Sequence, residues 1–397
     1  MKMRIVDLFA GCGGLSHGFV RTGKYEVVLG TDIDAQALQT FAHNHAKEGN
    51  YPVLIPGDIT ALAPRDFTER LEPMGLDSQG SLDVLVGGPP CEGFSQNRSN
   101  GVRLADGSVL YTRNPLDSRD PRNTLFRYYL NVVDLLRPRG VVIENVPQMV
   151  TSHGGKTIAE IARRLDGMGY SVRWAVLNAA DYGVPQVRRR AFVVAVQKGL
   201  RPYEWPEPTH ARVPISKPTS QDDLAPYVTV GDAISDLPAA TNRELGRQSV
   251  KHYRPTVSGY ALAMRSDTAT PMNHVARIPS ERVLNRLRAM KPGMIASDLP
   301  DHLKTKSAYY NSYGRLSWDA PAKTITKSCN YLGSGCFGHP VEDRGITMRE
   351  AARLQSFDDD FDFISKSEPH VAKMIGSAVP PFLSRHIAES LAKSLES

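Results

Sequence analysis

Short apolar runs alternate with longer stretches of helical periodicity through the first half of the chain. Arg4–Phe9, Glu26–Gly30, Tyr51–Ile55, Leu82–Val86, Gly140–Ile143, Tyr170–Leu177 and Ala191–Val196 read as seven strands. Between them, Ala35–His45, Thr60–Leu71, Arg122–Leu136 and Thr157–Met168 place apolar residues at the spacing of a helix face. Strands separated by helices cannot pair as hairpins and are joined by crossovers, so the pattern predicts an α/β fold: a doubly wound, Rossmann-like sheet of seven strands. The sheet is complete by about residue 197.

The pattern then breaks. Pro202, Pro206, Pro208, Pro214, Pro218 and Pro226 open an irregular polar region that runs to about residue 340 and reads as a second, smaller domain. Periodicity returns at Thr347–Gln355, a helix with Thr347 as N-cap and Glu350 at the capping-box position, and in a last helix over 381–395. The expected domains are therefore 1–200, 201–340 and a segment 341–397 that completes the first. Charge sharpens this division. Residues 201–340 hold 18 Lys and Arg against 12 Asp and Glu, whereas the rest of the chain balances at 30 against 30. The basic excess, interleaved with Tyr253, Tyr309, Tyr310, Tyr313, Trp318 and Tyr331, suits a polyanionic partner for that segment and equally plain solubility, since tyrosines also pack small cores.

Composition excludes several classes. No apolar run spans a bilayer, and Met1-Lys-Met-Arg leads straight into a strand, so no membrane association is expected and a cytoplasmic, nucleoid-associated location is. Four cysteines, Cys12, Cys91, Cys329 and Cys336, make neither a disulfide framework nor a zinc signature, and no metal is expected.

Candidate chemistry sits in the loops that follow the strands. Gly87-Gly-Pro-Pro-Cys91-Glu-Gly-Phe-Ser95 puts a thiol in a turn whose φ angles are fixed by proline, directly after a buried strand, where α/β sheets keep their ligand crevice. Asp7-Leu-Phe-Ala-Gly11-Cys-Gly13-Gly14-Leu15 ends the first strand with a glycine-rich turn into a helix. The second strand ends at Asp32, suited to ribose hydroxyls, and the third is followed by Asp58. Acids at both ends, with no basic group for a pyrophosphate, indicate a nucleoside cofactor without phosphates, a description that S-adenosylmethionine fits.

These residues, with Asp120-Pro-Arg-Asn-Thr-Leu125, Glu144-Asn145-Val146, Gln186-Val-Arg188-Arg-Arg190, Arg349-Glu350-Ala-Ala-Arg353-Leu-Gln355 and Gly376-Ser-Ala-Val-Pro380, resemble the motifs of the DNA (cytosine-5) methyltransferases of bacterial type, in the same order. The resemblance implies methyl transfer from S-adenosylmethionine to carbon 5 of a flipped-out cytosine in a short sequence of double-stranded DNA, leaving S-adenosylhomocysteine. Cys91 would be the nucleophile, Glu144 the acid at ring nitrogen 3, and Arg188 and Arg190 would lie over the base; Arg189, on the other face, reads as a basic edge. The cofactor would be held by Phe9, Gly11, Cys12, Gly13, Gly14, Leu15, Asp32, Ile33, Asp58, Ile59, Pro90 and Leu125, and by Ser377, Ala378 and Val379, where this chain has Gly-Ser-Ala-Val in place of the usual Gly-Asn-Ser-Val. Burial at a strand end is expected to raise the Glu144 pKa. The polar, arginine-bearing loop Ser95–Arg119 reads as a lid closing on DNA, with Ser95, Gln96, Asn97 and Arg98 as its contacts. The resemblance further implies a target-recognition role for 201–340, admits a companion restriction endonuclease as a second partner, and is compatible with a monomer.

Three other readings compete. A tRNA-modifying branch of the same enzymes carries a Cys-Phe-Thr signature that does not occur here. A non-catalytic DNA-binding relative would not need Cys91, Glu144 and Arg188 intact. A nicotinamide dehydrogenase would need the third spaced glycine that the Gly11-Cys-Gly13-Gly14 turn lacks.

Overall fold

Val84–Gly87 and Gly140–Asn145 have every residue buried, as strands in the middle of a parallel sheet covered on both faces must. The structure, a computed structural model, describes residues 2–47, 49–90, 102–103, 109–110, 124–212, 224–242, 253–265, 271–304 and 312–396. The chain divides into two compact units: 1–178, 189–206 and 384–397 form the first, 179–188 and 207–383 the second.

The first unit carries all seven expected strands: β1 Met3–Leu8, β2 Tyr25–Asp32, β3 Val53–Pro56, β4 Val84–Gly87, β5 Gly140–Asn145, β6 Tyr170–Asn178 and β7 Arg189–Gln197. They form one mixed sheet in the order β3-β2-β1-β4-β5-β7-β6. The first five are parallel; β7 runs antiparallel to both its neighbours. From β1 the chain winds outward through β2 to β3, and β4 then starts on the other side of β1. That reversal makes the carboxyl ends of β1 and β4 the topological switch point, where sheets of this kind open a crevice.

The helices Gly14–Val20, Ala35–His45, Pro64–Leu71, Leu125–Leu136 and Lys156–Gly167 fall in the connections. The last three join the main core, which includes Phe67, Tyr129, Leu130, Val133, Ile161 and Leu165 beside Val6, Leu85, Val141 and Val193 of the sheet, while Leu38 and Phe41 of Ala35–His45 form a smaller cluster with Val27. Tyr129 shows how tightly helix and sheet are joined: its buried hydroxyl donates to the carbonyls of Leu85 and Val142, at 2.9 and 3.1 Å. Gly87 supplies the room. A Cβ there would lie 2.4 Å from the Leu8 carbonyl oxygen and 2.9 Å from the Tyr129 ring.

The second unit contains short helices, among them Val230–Ile234, Gly259–Met264, Glu281–Arg288, Met348–Leu354 and Glu368–Ser377, and is organised around buried arginines. Arg353 lies between two carboxylates, with Nη1 2.9 Å from Asp236 Oδ1 and Nη2 2.6 Å from Asp359 Oδ2. Arg349 donates to the carbonyls of Met272, Asp358 and Phe361. Arg344 makes a two-pronged pair with Glu350, both contacts 2.8 Å. Thr347 and Glu350 form the expected capping box at the head of Met348–Leu354.

These ties correct the expected boundaries. Residues 341–383, expected to complete the sheet domain, pack within the second unit, because Arg344, Arg349 and Arg353 find their partners there. Only 384–397, the larger part of the helix Pro381–Leu395, belongs to the first unit, where Leu391 and Leu395 pack over Gly140.

Candidate active site

The loops after β1 and β4 leave the sheet at its switch point. In the first, Phe9, Gly11 and Gly13 all take positive φ, 56°, 54° and 94°. Gly13 is obligatory for a second reason, since a Cβ would fall 2.4 Å from the His45 ring and 2.9 Å from Phe41. Above Gly11 a Cβ would meet nothing within 4 Å, which leaves open space over the backbone. Asp32 fastens this loop: its carboxylate accepts the N–H groups of Gly11 and Asp34, both at 2.8 Å. Ile33, next along, is 73% exposed, a large apolar side chain left uncovered beside the loop. Asp58 is exposed and caps the turn Ile59–Ala61, while Ile59 is buried in the main core and Leu125 packs against it. Cys12, Gly14 and Leu15 are buried in the turn and the helix that follows it.

Beneath the loop lies Asp7, fully buried, with Oδ2 lacking a hydrogen-bond partner. Burial, reinforced by the nearby Asp32 charge and opposed by hydrogen bonding from Ser16, pushes its pKa up to about 7. An open, glycine-lined backbone edge, a carboxylate and an exposed apolar side chain are what a phosphate-free nucleoside needs. The residues present therefore fit S-adenosylmethionine.

At the end of β5, Glu144 is buried and its Oε1 lies 2.9 Å from Nε of Arg190, which enters from β7. Burial lowers the Arg190 pKa and the Glu144 charge raises it. The Arg190 guanidinium is thus the charged partner of Glu144 at this strand end. Gly88, just past β4, sits against this carboxylate: a Cβ would be 3.0 Å from Glu144 Oε2. Asn145 completes the arrangement by donating from Nδ2 to the Pro89 carbonyl at 2.9 Å while its Oδ1 accepts the Val146 N–H at 2.8 Å. Asn145 and Asp7 stand in the sequence motifs with no role that the sequence assigns them. A polar residue beside an acid at a buried strand end was the available signal.

Pro90 is exposed. Cys91, Ser95, Gln96, Asn97 and Arg98, and most of the loop to Arg119, lie outside the described residues. The other three cysteines are described, and none is suited to attack. Cys12, Cys329 and Cys336 are buried and form no disulfide, and burial pushes the thiols up, to about 12 for Cys12 and Cys329.

Arg188 belongs to the second unit, where its buried guanidinium donates to the carbonyls of Ile325, Gly376 and Ala378 at 2.9, 2.9 and 3.0 Å. It ties the segment 324–326 to the motif at 376–379. Gly376 shows how close these segments run, since a Cβ there would lie 2.2 Å from Thr326 backbone atoms. Ser377 is exposed, Ala378 partly so and Val379 buried, all in this unit. Among the described residues no helix is long and apolar enough to cross a membrane, and no cluster of His, Cys, Asp or Glu could hold a metal ion.

The family model for C-5 cytosine-specific DNA methylases matches residues 3–393. The chain is 31% identical to the type II methyltransferase M1.HphI of Haemophilus parahaemolyticus over 99% of its length and 87% of that protein's. It is 32% identical to M.DdeI of Desulfomicrobium norvegicum, covering 98% and 88%. In fold it is similar to a DNA modification methyltransferase encoded within an E. coli prophage, with a TM-score of 0.70 at 23% identity and both chains wholly covered. With a sheet, a strand-end carboxylate and a glycine-rich crevice of this kind, and a family match along nearly its whole length, the chain belongs to the C-5 cytosine-specific DNA methylases.

Proposed function

We propose that this enzyme transfers a methyl group from S-adenosylmethionine to carbon 5 of a cytosine flipped out of double-stranded DNA, within a short recognised sequence, through a covalent adduct on Cys91. The observation that carries this reading is the binding of Glu144, Arg190 and Asn145 to one another's surroundings at the loop that leads into Cys91: ion pair, Gly88 contact and Pro89 hydrogen bond. A nucleophile four residues past a buried strand needs a fixed approach, and Asn145 and the two prolines supply it.

Carbon 5 of cytosine is a weak nucleophile because the ring is aromatic. Addition of the Cys91 thiolate to carbon 6 breaks the aromaticity and places the electron pair on carbon 5 and the ring. Glu144 donates or holds a proton at ring nitrogen 3, which relieves the developing charge, and Arg190 holds the Glu144 carboxyl in place. S-adenosylmethionine, when bound, supplies the electrophilic methyl group that carbon 5 takes up. Loss of the carbon 5 proton to solvent then returns the electron pair to the ring and expels the thiolate.

Gly11, Asp32 and Ile33 would hold the nucleoside part of the cofactor, with Phe9 and Pro90 beside it and Asp58 at the neighbouring strand end. Ser377, Ala378 and Val379 are assigned to the same ligand on the resemblance alone. Arg188 enters as a positioning residue, since its donors are committed to backbone carbonyls. Ser95, Gln96, Asn97 and Arg98 would meet DNA as the loop closes, and the second unit would recognise the sequence. A restriction endonuclease acting on the same site is the expected companion. Bisulfite sequencing of DNA from cells expressing the protein tests the reading: protected cytosines at one recurring short sequence support it, and an unmodified genome from cells holding active enzyme contradicts it.

A further inference from the structure

Two tyrosines of the second unit meet in a way that surface packing does not require. Tyr313 has a φ of 56°, in the left-handed region that residues with a bulky side chain avoid and that tends to persist at functional sites. Its backbone N–H donates to the Leu332 carbonyl at 2.8 Å, which fastens it to the turn that carries Tyr331. That turn is closed by its own hydrogen bonds: Tyr331 N–H donates to the Ser328 carbonyl at 2.9 Å, and Ser334 Oγ to the carbonyls of Ser328 and Tyr331 at 2.6 and 2.7 Å. Gly333 is the seat of the Tyr331 ring, since a Cβ there would lie 2.6 Å from it.

The result is an aromatic side chain that is ordered and yet 60% exposed. Ordering costs conformational entropy, and burial of apolar area is what ordinarily offsets it; here most of that area stays in water. The bracing continues underneath. The Arg286 guanidinium stands 4.9 Å from the Tyr313 ring centroid, is itself only 4% exposed, and donates from Nε to the Leu303 carbonyl at 2.8 Å. The two hydroxyls are 3.5 Å apart, the outer limit of a hydrogen bond, so Tyr331 keeps donor and acceptor capacity for a ligand. Lys323 and Lys327 are exposed in the same segment, within reach of the phosphates that flank any base so approached.

We propose that Tyr331, braced by Tyr313 and Arg286, is a specificity-determining residue that contacts a base edge of duplex DNA, a proposal that rests on the reading of the second unit as the recognising one. A hydroxyl offering both donor and acceptor distinguishes base pairs in the major groove, and a held ring loses little entropy on binding.

The test uses the full-length enzyme with S-adenosylmethionine and a pool of duplexes carrying the recognised sequence and all its single base-pair neighbours, read by bisulfite sequencing. The measured quantity is the ratio of methylation between neighbours, which an overall loss of activity does not move. Tyr331→Phe is expected to reduce discrimination at one base pair by about tenfold and leave the other positions as they were. Tyr313→Phe should act at that same position, more weakly. Unchanged ratios in Tyr331→Ala, or equal weakening at every position as a phosphate contact would give, would overturn the proposal. Exchange of 207–340 into a relative of known target separates the two levels. A transferred target with unaltered ratios in Tyr331→Ala overturns the tyrosine alone, whereas an active chimera that keeps its host's pattern overturns the recognition reading beneath it.

Discussion

Asp7 of the first unit and Glu350 of the second are both buried carboxyl groups, and the two units treat them in opposite ways. Asp7 lies under the glycine-rich loop with an unpartnered oxygen, and burial pushes its pKa up to about 7. Glu350 is held by Arg344 through two contacts and caps its own helix through Thr347, and those partners outweigh burial and bring it down to about 2. The first unit keeps an apolar core and leaves its few buried charges at the switch point, where a ligand could use them. The second builds its core from charges already paired. A buried carboxyl with an unmet oxygen leaves something for a ligand to satisfy; the arginine–carboxylate pairs of the second unit hold its core together.

Removal of a cation from that scaffold should give the largest effect. Arg353→Met takes the shared guanidinium from buried Asp236 and Asp359 and leaves them only Arg265 and Arg349 as cations, and loss of one partner from a buried charge network costs about 3 kcal/mol or more. Chemical denaturation should show this as a lower midpoint; an unchanged midpoint would mean that the network contributes nothing. Glu144→Gln keeps the shape of the strand end and removes the acid, so the single-turnover rate should fall by about a hundredfold or more, while cofactor affinity measured by calorimetry without DNA stays close to that of the parent. A variant impaired only in cofactor binding would break the assignment.

The contrast in pKa gives a third test with opposite signs. Between about 4 and 7 the folded state keeps a proton on Asp7 that the unfolded chain has released, so its contribution to stability falls as pH rises through that window. Asp7→Asn removes the slope and should gain on the parent by on the order of 4 kcal/mol between pH 4 and pH 8. Glu350 does the reverse: its contribution is complete above about pH 4.5 and is lost as pH falls towards 2. Thermal melts across pH read both, and equal slopes would sink the comparison. The smallest effect is expected for Asp32→Asn, which retains an acceptor for one of the two loop amides but loses the charge, and should weaken S-adenosylmethionine binding about tenfold.

The same contrast governs how much could be read from the chain. All seven strands and the capping box at Thr347 follow from apolar period and turn chemistry, because the sheet is held by burial, which leaves a periodic trace, and the box by local sequence. Arg349 and Arg353 leave no such trace. A sequence shows that an arginine is present, not that Met272, Asp236 or Asp359 will reach it, and so 341–383 was drawn to the wrong unit. At the site, Glu144 and Arg190 were named separately and their ion pair was not foreseen. The clamp from Asn145 to Pro89 and the seat of Gly88 on Glu144 depend on contacts between β4 and β5, which only the sheet order discloses.

Cys91 carries the central claim, and a covalent trap tests it most directly. A duplex bearing 5-fluorocytosine at the methylated position presents a carbon from which fluorine cannot leave as a proton, so thiolate expulsion is blocked after methyl transfer. Incubation of the full-length enzyme with this duplex and S-adenosylmethionine should give a complex that survives denaturation, with peptide mass spectrometry placing the adduct on Cys91 and none formed by Cys91→Ser. An adduct on Cys12, Cys329 or Cys336, or methyl transfer by Cys91→Ala at the parent's rate, would contradict the account.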